Sequence, residues 1–171
     1  MSYFLSCVEP PTTEPVSLQD ALLQCHALEG VEDDFFFCKI SAGRRKVEDF
    51  CHRALLRQKW VLTYDYVSSD LVILPRSPVI SIESVKVDGE LLAPVPAVLE
   101  GLPSRIDLEG RGGGSLRVEY VAGYGDDPSD VPEPLRDAIL LYVAWSYENR
   151  AAETEVPSAF FNLCRPYQLW I

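Results

Sequence analysis

Basic residues are in short supply in this chain of 171 residues: 15 lysines and arginines stand against 26 aspartates and glutamates, a formal charge of -11. Nucleic acid is bound chiefly by neutralising its phosphates, so this balance argues against a protein that wraps DNA or RNA. Long apolar runs are missing too. The longest uninterrupted one lies between Asp137 and Ser146, well short of the roughly 18 residues needed to span a bilayer, and no membrane partner is expected. There is no CxxC pair. The five cysteines, Cys7, Cys25, Cys38, Cys51 and Cys164, are odd in number, and Met1 to Pro15 lacks the basic start and apolar core of a signal peptide. The expectation is a soluble protein that folds in a reducing cytosol.

What the chain does have is an ordinary globular composition, 47% hydrophobic and 24% charged, enough for one core without metals or disulfides. Residues 1–15 carry Pro10, Pro11 and Pro15 among polar residues and read as an extended arm or frayed terminus. Ser17 is a helix cap with Asp20 in the first turn, and Leu18, Leu22, Cys25 and Leu28 follow at helical spacing, predicting a helix from Leu18 to about Leu28. A longer helix restarts after Gly30, capped by Asp33 or Asp34. Its apolar stripe is Phe36, Ile40, Val47, Phe50, Ala54 and Leu55, Gly43 weakens its middle, and Arg44, Arg45 and Lys46 fall on its solvated side.

From Trp60 the period changes to two, in short stretches rich in β-branched and aromatic residues: "WVLTYDYV", "LVILP", "VISIESVKVDGELL", "SRIDL" and "SLRVEYVAGYG". Asp88-Gly89 between two of these runs predicts a type I′ hairpin, and "EGRGGGS" a mobile loop. Then "VPEPLRDAILLYVAWSYENRAA" predicts a helix that Pro132 or Pro134 opens and Asp130 caps, with apolar residues on almost every side. The order of elements breaks βαβ alternation. It predicts an α+β fold: a helical bundle from the first two helices (16–57) and a long core helix (130–152), an inserted antiparallel β subdomain (58–125), and a tail (153–171).

Catalytic chemistry finds little support. Cys25-His26 and Cys51-His52 suggest a zinc site or a cysteine nucleophile, but helical neighbours point about 100° apart and cannot converge on one ion unaided. "GRGGGS" lacks the Lys-Ser/Thr of a phosphate loop and lies between strands. Asp126, Asp127 and Asp130 have no calcium-loop spacing and serve as turn and cap residues. No catalytic residue, metal or cofactor is therefore expected. The tail is different: Phe160, Phe161, Tyr167, Leu169, Trp170 and Ile171 crowd together, either docked on the chain's own body or offered to a partner.

Five pieces in order resemble the head-tail connector, or adaptor, proteins of tailed phages and gene transfer agents. They are "EPVSLQDA", "LLRQKWVLTYDYV", "ILPRSPVISIESVKV", "LRVEYVAGYG" and "VPEPLRDAILLYVAWSYENR", together spanning Glu14 to Arg150. The resemblance implies a subunit of a ring of about twelve copies beneath a portal protein, extending a DNA channel and receiving a stopper or tail-completion protein on its far side. DNA would pass through without specific binding. The virion neck is the implied location, with host cytoplasm during assembly. Within that reading Arg44, Arg45, Glu148 and Arg150 are candidate subunit-interface residues, with Arg150 pairing Glu148, pairing across the boundary, or simply favouring the helix dipole. Glu29, Glu32, Asp33 and Asp34 are candidates for the channel wall or a subunit seam, and the aromatic tail for portal binding. Many relatives carry Thr-Gly where this chain has Cys51-His52-Arg53, which implies a longer second helix here. A DNA-packaging accessory or DNA-binding protein of the neck is the competing reading, and a Cys/His enzyme a third.

Overall fold

A computed structural model describes residues 3–99, 101–150 and 155–170. The chain forms two compact units, one of strands (Met1–Pro11, His52–Tyr124 and Leu169–Ile171) and one of helices (Thr12–Cys51 and Gly125–Gln168). The mixed α and β content with an antiparallel sheet is as expected.

In the β unit the strands are β1 (Tyr3–Glu9), β2 (Gln58–Tyr64), β3 (Leu71–Ile73), β4 (Val79–Val87), β5 (Glu90–Leu91), β6 (Arg105–Asp107) and β7 (Leu116–Ala122). Five make an antiparallel sheet in the order β1-β2-β7-β4-β5, and β3 pairs with β6. Of the two expectations for the first residues, an extended arm or a frayed terminus, the first strand excludes fraying over Tyr3–Glu9. Tyr3 to Cys7 pair residue by residue with Tyr64 to Trp60, because Leu5 has the apolar side of β2 to pack on. Alternation sets the inner face of β7: Leu116, Val118 and Tyr120 are buried while Arg117 points outward. Tyr120 is wholly buried, yet its hydroxyl donates to the Pro75 carbonyl at 2.7 Å and so is not stranded, and burial pushes its phenol pKa up. Asp88 and Gly89 both take positive φ, as a type I′ turn requires. The glycine loop is less free than expected: Gly112 N donates to Asp70 Oδ1, and Gly113 and Gly114 exchange backbone bonds with Val67.

The helical unit contains α1 (Leu18–Cys25), α2 (Asp33–Cys51), α3 (Glu133–Glu148) and α4 (Ser158–Cys164). Ser17 caps α1 through a capping box with Asp20, but α1 stops three residues short of Leu28 because His26 turns into the left-handed region. Helix α2 ends at Cys51 and is not extended; His52 beyond it has positive φ. Its buried stripe of Phe36, Ile40 and Val47 packs on α3, and Gly43 is what lets the helices close. A Cβ there would meet Tyr142 Cδ1 at 3.1 Å and Ile139 Cγ2 at 3.2 Å. Asp130 does not cap α3. It closes a capping box with Asp127 around the 3-10 turn Pro128–Asp130, and Pro132 opens the helix. The expected end of the core helix at 152 lies outside the described residues. Helix α4 lies in the stretch expected only as a tail; its seven residues are too few for helical spacing to show in the sequence.

Candidate functional site

The polar end of α3 is occupied within its own unit. Tyr147 stacks on Phe36, ring centroids 5.3 Å apart, and Arg150 lies between two aromatic rings, its Cζ 4.3 Å from the Phe35 centroid and 4.5 Å from that of Tyr147. Its guanidinium reaches Glu32 with both terminal nitrogens, Nη2 at 2.8 Å from Oε2. Arg150 therefore pairs with Glu32, not with Glu148. This planar cation suits the place because it stacks and donates a two-pronged bond at once. That hydrogen bond holds the Glu32 carboxyl below the usual range, with Tyr147 acting in the same direction, and it raises Arg150. A depressed carboxylate adds stability above its ordinary pKa and loses it as pH falls through the folded value. Glu32→Gln is therefore expected to melt below the wild type at neutral pH, with the gap closing on acidification through the carboxylate range. A gap in melting temperature that ignores pH would exclude the pair as its source.

Arg44 corrects a second expectation. It is not on a solvated face: its side chain is 7% exposed, with Nε 2.7 Å from Glu14 Oε2 and Nη1 2.9 Å from Glu48 Oε2. Burial opposes its charge, but the two carboxylates outweigh it and leave the pKa raised. Both of its carboxylate partners belong to its own unit. Arg45, one residue on and so rotated about 100°, is exposed.

Arg45 instead borders a groove of about 870 Å³ on the outer side of α2, lined by Phe37, Ser41, Lys46, Phe50, Tyr142 and Phe161 among others. A second groove, about 530 Å³, lies along α3 between Leu140, Leu141 and Leu163, with Asp137 and Asn162 at its rim. These grooves are where the helix expected to be covered all round is only half covered. Sequence reading missed Phe37 because it lies off the Phe36-Ile40-Val47 stripe. Its signal was a second row, Phe37-Ser41-Arg45, at four-residue spacing.

The acidic candidates are put to separate uses. Glu32 holds Arg150; Asp33 Oδ1 accepts from Gly30 N at 2.9 Å; Glu29 accepts from Gln19; Asp34 is exposed. In the tail, Phe160 is wholly buried and Leu169 is 8% exposed, whereas Trp170 is 84% exposed. Phe161 and Tyr167 are half-buried, and Ile171 lies outside the described residues. The cysteine-histidine pairs do not converge. His26 and His52 end their helices, while Cys51 lies buried with its thiol 3.5 Å from the Cys164 carbonyl. The hydrogen bond with Cys51, together with burial, pushes the Cys164 thiol up. Among the described residues no three His, Cys, Asp or Glu groups are placed to hold a metal ion, and no helix is long and apolar enough to cross a membrane.

No protein-family model and no curated protein matches the sequence. Solved structures do match its fold. Over 98% of this chain and 96% of the other, it superposes on a chain in the neck of an empty GTA particle computed with C6 symmetry, with TM-score 0.84 at 18% identity. The fold is that of a gene transfer agent neck component. Over the same shares of both chains it matches one in the virion of a native gene transfer agent particle (TM-score 0.82, 19% identity) and one in the neck of a native GTA particle computed with C12 symmetry (0.70, 20%).

Proposed function

We propose that this protein is a structural subunit of a virion neck: a head-tail connector whose copies, about twelve, form a ring under a portal protein, extend the DNA channel and present a face to a stopper or tail-completion protein. The observation that carries this reading is the fold match along 98% of the chain to components of GTA necks. The C6 and C12 symmetries of those necks support a ring. The charge of -11 per chain suits such a channel, since an acidic wall repels phosphate and lets DNA slide without sticking. No chemical step is needed for this role.

Trp170 is the residue we assign to the portal. A large aromatic left in solvent beside a buried Leu169 has area to gain on a partner and few rotors to lose. Binding of the full-length chain to its particle's portal is expected to weaken about 30-fold in Trp170→Ala, with an unchanged melting temperature. The overall reading is tested by mixing the chain with that portal and imaging the product. A closed ring on the portal is expected; a chain that stays solitary in the portal's presence would sink the proposal.

A further inference from the structure

The outer groove of the helical unit joins two features that a free-standing domain has no use for. Its floor is aromatic, and Phe37 is 55% exposed there. Beside it stand Arg45 and Lys46, neither of which forms an ion pair among the described residues, although Arg44 next to them is fully engaged. Asp49 is the one acid on the lining. Apolar floor and paired cations together select an apolar segment that carries carboxylates.

The same chain offers such a segment. Between α1 and α2, Leu28 is 77% and Val31 71% exposed, with the exposed Glu29 between them and the exposed Asp34 one helical turn further on. The segment is held in shape. His26 turns the chain, Gly30 N donates to Asp33 Oδ1 at 2.9 Å, and Gln19 donates to Glu29, a neutral donor that leaves the carboxylate's charge in place. A preshaped knob loses little freedom on docking. None of its residues lines the groove of its own chain. Knob and groove are thus two different patches of one unit, and matching them between copies is a heterologous contact, the kind that closes into rings.

We propose that the groove bounded by Phe37, Arg45, Lys46 and Phe50 is the seam of the ring, and that its occupant is the Leu28–Val31 segment of a second copy, with Glu29 and Asp34 facing Arg45 and Lys46. This rests on the ring reading above. It places two of the four acidic candidates in the seam and not on the channel wall.

The test is a charge swap in the full-length chain, assembled on its portal. Arg45→Glu with Lys46→Glu, and separately Glu29→Lys with Asp34→Lys, are each expected to lower ring formation about tenfold or more. All four changes in one chain are expected to restore it to within about threefold of wild type. Circular dichroism melts read folding separately. A second measurement uses the native Cys38, which lines the groove: in a Cys7→Ser background, Val31→Cys is expected to give inter-copy disulfide ladders under mild copper-phenanthroline oxidation, lost on Cys38→Ser. Folded reversal variants that assemble like wild type would overturn the seam while the ring stands. Reversals that lose assembly without rescue in the combined chain would give the groove to another occupant and also overturn it. Wild type that forms no ring on its portal would remove the functional reading and this inference together.

Discussion

Gly123→Ala is expected to destabilise the β unit by roughly 3–5 kcal/mol, among the largest effects available to a single methyl group in this chain. Gly123 follows β7 with φ +139, outside the regions an L side chain occupies readily, and a Cβ there would overlap Leu56 O and stand 2.7 Å from Arg57 N. Those neighbours are backbone, so neither can rotate away. They are also pinned, because Gly123 N donates to Pro78 O at 2.9 Å and Tyr124 N to Leu55 O at 3.0 Å, closing the end of β7 over the entry to β2. Relieving the overlap means breaking one of those bonds. Gly89→Ala is the control: its φ is +83 but nothing lies within 4 Å of the added carbon, so the cost should stay near 1 kcal/mol. Denaturant melts of the two variants separate the terms; equal losses would show that conformation alone, and not the close approach, makes Gly123 necessary.

Arg44→Ala is the second large loss, about 3–5 kcal/mol, because it leaves a buried carboxylate behind. The Glu48 side chain is 6% exposed and Glu14 29%, and the guanidinium between them is only 7% exposed. Removing the cation removes both attractions while the cost of keeping Glu48 out of water persists. A cavity of arginine size adds to it. The expected signature is non-additivity: Arg44→Met combined with Glu48→Leu should recover most of the stability lost in Arg44→Ala, since an apolar pair of similar volume carries no desolvation cost. Double-mutant cycles by chemical denaturation read this directly. A double variant as unstable as Arg44→Ala would show that the site depends on packing rather than charge.

These two residues mark where sequence reading stopped. Gly123 belongs to the "AGYG" stretch, one of the five pieces that carried the connector resemblance, yet nothing local says that the residue must pass within van der Waals reach of Leu56. Arg44 sits in a run of three cations that reads as one solvated patch. A helix turns about 100° per residue, so Arg44 and Arg45 meet different surroundings, one buried against Glu14 from thirty residues away and the other on the groove. In the same way Arg150 has Glu148 close in sequence but takes Glu32, because the Phe35 and Tyr147 rings hold its guanidinium where it can reach that carboxylate.

Periodicity and turn chemistry suffice for what is local: three helices, though not where each of them stops, six strands from about Trp60 onward, and the Asp88-Gly89 hairpin are each written in spacings of a few residues. So is the acidic balance, which needs only counting. Tertiary structure alone decided the rest. It placed Tyr3–Glu9 at the edge of the sheet, folded Ser158–Cys164 into a helix, buried Phe160 while leaving Trp170 bare, and sorted three adjacent cations between core and groove. Each of those outcomes turns on a partner far along the chain. The free energy of burial or pairing belongs to the two surfaces that meet, and neither segment carries it by itself.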